Sequence, residues 1–206
     1  MGYEPVIAPL LAIRPLPQAE PDLTGVTALA FTSPNGVAAF ARLSQDRSLP
    51  VLAVGDATAA AAAETGFADV VSAAGDLIAL TALIREQNFA ADAVILNVGA
   101  REPAGDMAAA LGPSPVVRRL SVYEAMLTDV ATPSACVAAL VHSPRAGRAL
   151  AARMVDRDDA RSLICIAISP AAAAPLADLA MGGLHAASHP DENSLLATLG
   201  KALSPV

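Results

Sequence analysis

VTALAFTSPNGVAAF, residues 26–40, joins a short apolar run to an alanine-rich amphipathic stretch through Ser33-Pro34. VTALAFT reads as a strand and PNGVAAFARL as a helix, with Ser33 as N-cap and Pro34 at the first helical position. A serine hydroxyl there accepts a hydrogen bond from a first-turn amide, and proline loses nothing, since its missing N–H would have no partner in that turn. A near copy, LVHSPRAGRAL, occupies 140–150, and a third Ser-Pro follows at 169–170 in IAISPAAAAPL.

Outward from these turns the chain keeps alternating. VLAVG (51–55) precedes the helical DATAAAAAETG (56–66), which Gly66 stops as a left-handed cap. FADVVSA (67–73) leads into GDLIALTALIREQ (75–87), where Leu77, Leu80 and Ile84 recur at helical spacing. AVILNVG (93–99) precedes a short helix at Met107–Leu111, and PVVRRLSVYEAM (115–126) is a longer alternating strand. In the second half CVAALVH leads to helix PRAGRALAARM, SLICIAI to helix PAAAAPLADLAM, and LHAAS to helix NSLLATLGKAL. Short apolar runs alternating with helical patterns argue for βαβ units and parallel sheets.

Ser33 and the Gly55–Thr58 turn form one pair, Ser143 and Ser169 another, and Ser143 follows Ser33 by 110 positions (143 − 33). This is the mark of a degenerate duplication, and it predicts two similar α/β domains. The proline-marked stretch 113–134 is the expected crossing between them, with a second crossing near Pro9–Pro21. The expected domains are therefore 16–122, inserted in the middle of the chain, and 1–15 plus 123–206. Two crossings side by side would form a two-stranded hinge.

Composition narrows the function. A chain of 206 residues suffices for one large domain or two small ones, and 54% apolar residues with no Trp predict a core of small aliphatic side chains. Net charge is −7 without a basic run, which argues against a nucleic-acid partner. The alanine-rich segments are broken well before the ~18 apolar residues a membrane span needs. MGYEPVIAPLLAIRP carries an acid where a signal peptide wants basic residues, so a cytoplasmic protein is expected. Cys136 and Cys165 lie in apolar strand-like runs and read as inert buried thiols of a reducing compartment. No nucleotide-binding glycine motif appears, and His142, His185 and His189 are too scattered for a zinc signature, so neither metal nor cofactor is expected.

The turns themselves carry the chemistry. Free first-turn amides and the positive end of a helix dipole face whatever lies beyond the strand's carboxyl end, where open α/β sheets bind ligands and anions are favoured. Each turn alone reads equally as an ordinary cap; several on corresponding edges of two domains would line a cleft with donors for an acidic ligand. REPAGD (101–106) reads as a solvated loop, with Arg101 as an alternative carboxylate contact. Tyr123 reads either as a packing aromatic or as a side chain reaching into the cleft.

ALAFTSPNGVAAF, VLAVGDATAAAAAETGF, VILNVGAREPAGDMAAAL, SVYEAM, LVHSPRAGRAL, CIAISPAAAAPLADL and AASHPDENSLLATL, in this order, resemble the uroporphyrinogen-III synthase family. The resemblance implies two α/β domains joined by a two-stranded ladder, with the active site in the cleft. It implies a cofactor-free cyclising hydro-lyase of heme biosynthesis. That enzyme closes linear hydroxymethylbilane to uroporphyrinogen III, inverting the last pyrrole ring and losing water. The implied ligand is a polycarboxylate linear tetrapyrrole, and the implied protein a monomer with no nucleic-acid or membrane partner. Carried over by position, Tyr123 assists departure of the hydroxyl, a role open to a phenol with pKa near ~10. Substrate binding falls to Ser33, Pro34 and Asn35; Gly55 and Thr58; Gly99; Ser143, Pro144 and Arg145; and Ser169. Family members usually open with a strand ending in Thr-Arg-Pro and a helix, whereas this sequence starts at MGYEPV. That departure leads us to expect an open strand edge in the second domain. It also keeps alive the alternative of a non-catalytic tetrapyrrole- or anion-binding protein on the same fold. An unrelated two-lobed α/β binding protein is the remaining reading.

Overall fold

A computed structural model describes residues 3–133 and 135–204; Met1 and Gly2 of the MGYEPV opening, Ser134 in the second crossing, and Pro205–Val206 lie outside the described residues. The chain forms β1 (Leu11–Pro15), β2 (Val26–Phe31), α1 (Pro34–Leu43), β3 (Val51–Ala53), α2 (Asp56–Glu64), β4 (Val70–Ser72), α3 (Leu77–Glu86), β5 (Val94–Ala100), α4 (Met107–Leu111) and β6 (Val116–Leu127). Then follow β7 (Ala138–Val141), α5 (Pro144–Met154), β8 (Ile164–Ala167), α6 (Pro170–Ala173), β9 (Gly183–Ala186) and α7 (Glu192–Ala202). The fold is mixed α/β.

The residues fall into two compact units, Ile13–Ala125 and the discontinuous Met1–Ala12 with Met126–Val206. The chain passes from one to the other inside β1 and again inside β6. Those two strands pair in antiparallel sense, since Leu16 N donates to Val122 O and Thr128 N to Leu10 O.

The Ile13–Ala125 unit holds a sheet ordered β1-β6-β5-β2-β3-β4, parallel from β6 through β4. Its central strand β2 is covered on both faces, as parallel strands require, with Ala28, Leu29, Ala30 and Phe31 fully buried. On one face Phe31 and Phe40 meet edge to face at 5.7 Å, Phe67 completes the group, and Val98, Val122 and Tyr123 belong to the same core. On the other, α3 and α4 press Leu80, Ile84, Met107 and Leu111 onto Ala28, Ala30, Leu52 and Ile95. The expected small-aliphatic core thus describes the second face, while the first is built on phenylalanine.

The other unit holds a parallel sheet ordered β7-β8-β9. The run β7-α5-β8-α6-β9-α7 repeats β2-α1-β3-α2-β4-α3 in order and strand adjacency. Among the described residues β7 pairs with β8 alone, and Val137 and Leu140 on it or beside it are exposed.

Two expectations need correction, and one element is new. PAAAAPLADLAM is no single helix: α6 ends at Ala173, and a 3-10 turn, Ala174–Leu176, follows. Pro175 lacks the N–H a helix interior needs, and its ring would meet the carbonyl one turn back. A 3-10 segment at Asp158–Ser162 had no clear sequence signal. Cys136 lies ahead of β7 and is half-buried, whereas Cys165 sits inside β8, where burial pushes its thiol up to about 11.

Candidate functional site

The three Ser-Pro turns form as their chemistry dictates. Ser33, Ser143 and Ser169 all have extended backbone, and their hydroxyls accept from Gly36 N (3.2 Å), Ala146 N (3.1 Å) and Ala172 N (3.3 Å), with proline opening each helix. Gly55 caps α2 through backbone alone, accepting from Thr58 N at 3.0 Å, and Thr58 itself is buried. α6 is only four residues long, so its dipole adds little to the Ser169 turn.

Two glycines bring the end of β5 against the first turn of α1. A Cβ on Gly36 would lie 3.1 Å from Val98 O, and one on Gly99 would lie 3.1 Å from Thr32 Oγ1. Gly99 therefore sits beside the Ser33 turn, where Pro34 and Asn35 are exposed. Tyr123, 8% exposed, packs its ring into the aromatic core and sets its phenol oxygen 2.8 Å from Ser33 Oγ. The same ring lines a cavity of about 240 Å³ with Asn35, Arg42, Ile13 and Pro15. Ser33 Oγ already accepts from Gly36 N, so its own proton can point at the phenol oxygen and leave the phenolic proton free to donate elsewhere. The reverse arrangement uses the serine's second lone pair.

The residue after Tyr123 fixes this strand. Glu124 accepts from Arg14 (Nε, 2.8 Å, and Nη2) and from Arg101 Nη1 at 2.8 Å, while Arg101 N donates to Tyr123 O at 2.7 Å. Arg101 is exposed, as the solvated-loop reading expects, and its Nη1 holds the protein's own carboxylate. Sequence reasoning missed Glu124 and Arg42. Arg42's place at the end of α1, eight positions after Pro34, was a usable signal; the Arg14–Glu124 pairing had none.

In the discontinuous unit, Ser143, Pro144 and Arg145 open α5 and Ser169 opens α6. They are neighbours because α5 leans on the 169–173 turn: a Cβ on Gly147 would lie 2.4 Å from Ala172 O. His142 Nε2 stands 3.1 Å from Glu192 Oε2 at the start of α7. The sequence-derived residues therefore gather as two groups, one per unit: Ser33, Pro34, Asn35, Gly55, Thr58, Gly99 and Tyr123 in one, and Ser143, Pro144, Arg145 and Ser169 in the other. Among the described residues no group of three His, Cys, Asp or Glu is placed to hold a metal, and no helix is long and apolar enough to cross a membrane.

A parallel α/β arrangement that recurs in both units, each copy presenting capped helix starts at the ends of adjacent strands, defines a two-unit α/β protein. A family model described as uroporphyrinogen-III synthase HemD matches residues 1–197, and the chain belongs to that family of tetrapyrrole biosynthesis. It is similar to the crystal structure of uroporphyrinogen-III synthetase from Helicobacter pylori 26695, at 18% identity and a TM-score of 0.71, covering 98% of this chain and 97% of that one. A mutant uroporphyrinogen III synthase from the extremely thermophilic bacterium Thermus thermophilus matches at 17% identity and a TM-score of 0.60, covering 98% and 90%. No curated protein matches the chain.

Proposed function

We propose that this chain cyclises linear hydroxymethylbilane to uroporphyrinogen III, with inversion of the last pyrrole ring and loss of water. The observation that carries the reading is the 2.8 Å contact between Tyr123 and Ser33 beside the start of α1. In this reading the Tyr123 phenol gives its proton to the departing hydroxyl as the C–O bond breaks, and water leaves. Ser33 then donates to the phenolate oxygen and holds it in place until the proton lost by the rearranged last ring restores the phenol. The remaining work is geometric: holding the chain so that the substituted carbon of the last ring attacks, and keeping the cation from solvent. The substrate's carboxylates would be taken by the amides of the Ser33–Asn35, Gly55–Thr58, Ser143–Arg145 and Ser169 turns, by the backbone at Gly99, and by the Arg42 guanidinium. The reading needs no cofactor, and it places the enzyme in the cytoplasm as a monomer.

The test supplies hydroxymethylbilane enzymatically and separates the products by isomer. Asymmetric isomer III should dominate with this chain, and Tyr123→Phe should lower its formation about 10²–10⁴-fold, the usual worth of a positioned acid. Only symmetrical isomer I from the unaltered chain would reduce it to a binding protein, and unchanged turnover in Tyr123→Phe would take the phenol out of the reaction.

A further inference from the structure

On the α3/α4 face of the sheet, opposite the layer that holds Tyr123, lies a second cavity of about 430 Å³. That volume is within the range of small-molecule sites, about 300–1,000 Å³. Its lining comes from Asn97 on β5, Arg119 on β6, and Pro103, Gly105, Asp106 and Met107 at the entry to α4. Asn97 is the unexpected member. It is 9% exposed, in a face otherwise made of Ala28, Ala30, Ile95, Leu80 and Ile84, and among the described residues nothing bonds its carboxamide. Among the described residues no side-chain nitrogen or oxygen is both buried and unpartnered, so the Asn97 carboxamide opens onto the cavity it lines, whereas a leucine or valine would suit this apolar strand.

The neighbours give the ligand its chemistry. Arg119 is the register partner of Asn97, and Nη2 is anchored on Ala100 O (2.8 Å) and Arg101 O; Nε and Nη1 have no partner among the described residues. Asp106 uses Oδ1 to accept from Ala109 N at 3.1 Å, and Oδ2 has no partner there either. A cation and an anion thus line one cavity without pairing to each other, above a carboxamide that can both donate and accept.

We infer that this cavity is a binding site for a small polar α-amino acid, a function separate from the tetrapyrrole chemistry. The carboxylate lies on Arg119, the ammonium on Asp106, and the polar side chain on Asn97. With Nη2 already engaged, Arg119 offers the carboxylate one N–H, from Nε or from Nη1, and a charge-assisted bond of this kind is a strong one.

The test uses the full chain and L-serine as probe, followed by the side-chain NH2 resonances of Asn97 and the Nε–H of Arg119, with affinity from calorimetry. Both resonances should move with one saturable isotherm. Lactate, which lacks the ammonium, and ethanolamine, which lacks the carboxylate, should bind at least about tenfold more weakly, the loss of one ~1.4 kcal/mol contact. Asn97→Leu, suited to its apolar face, and Arg119→Gln, at an exposed position, should each weaken serine by a similar factor while leaving isomer III formation intact. No saturable shift with serine overturns the inference, as does lactate binding as tightly as serine or serine binding equally well to both variants. These readouts do not depend on turnover, so their failure is distinct from failure of the proposed reaction.

Discussion

Replacing Gly147 and, separately, Gly200 with alanine sets helix propensity against packing inside one unit. Both residues lie within helices, α5 and α7, and propensity alone favours alanine by about 1 kcal/mol at each. Nothing stands within 4 Å of a Cβ on Gly200, so Gly200→Ala should keep most of that gain. At Gly147 the methyl would lie 2.4 Å from Ala172 O and 3.4 Å from Pro175 Cγ. A carbon–oxygen contact settles near about 3.3 Å, so α5 and the 169–173 turn must part by nearly ~1 Å. Overpacking costs about 1–3 kcal/mol, and here a backbone carbonyl rather than a flexible side chain must yield, which favours the upper end. Net of propensity, Gly147→Ala should destabilise by about 2 kcal/mol while Gly200→Ala stabilises by nearly ~1 kcal/mol. The assay is urea unfolding followed by far-ultraviolet circular dichroism, because the chain has no Trp. The two units are fitted as separate transitions where the curve requires it. A Gly147→Ala variant as stable as the parent, at unchanged m-value, would refute the packing argument.

Asp76 caps α3 by accepting from Ile78 N and Ala79 N, and Asp76→Ala should cost about 1 kcal/mol in the same denaturation experiment. Phe40→Ala, at the centre of the phenylalanine cluster, should cost about 3–5 kcal/mol; a loss below ~1 would mean the three rings are not the core. At pH 8 a thiol reagent should label Cys136 in the native protein and reach Cys165 only after denaturation, since burial holds the latter's thiol near 11. The Ser194 backbone amide, then its hydroxyl, hold the Asp191 carboxyl below its ordinary 3.8, and Ser48 does the same for Asp46. A depressed folded pKa gives stability that is present above about pH 4 and lost as pH falls through the folded value. Carboxyl-carbon NMR titration should therefore find both midpoints below 3.8 in the folded protein, and midpoints at or above it would contradict these hydrogen bonds.

The bounds of α1 and α5 were legible because each start carries Ser-Pro punctuation, whereas Asp106, read only as part of a solvated loop, turns out to cap α4. α6 was misjudged although Pro175 stood in plain view, since a run of four alanines outweighed it. Strand order was not legible. Nothing in VTALAF says that β2 lies between β5 and β3, because register is settled by pairing across the sheet. The same holds at the site. The Ser33 cap is a local fact, but its contact with Tyr123 joins residues 90 apart, and Arg14 reaches Glu124 across 110. Asn97 left one trace, a carboxamide inside AVILNVG, and only the packing around it reveals that it opens onto a cavity without a partner among the described residues.

The interrupted course of the chain also sets an order of events during synthesis. Ile13–Ala125 is continuous and can fold as soon as its last strand has emerged, whereas the residues before Ala12 belong to the unit completed by Met126 onward. Leu10 O must wait for Thr128 N, a delay of roughly 6–24 s at ribosomal speeds of about 5–20 residues per second. Throughout that interval the segment leading into β1 has no folded unit of its own to join.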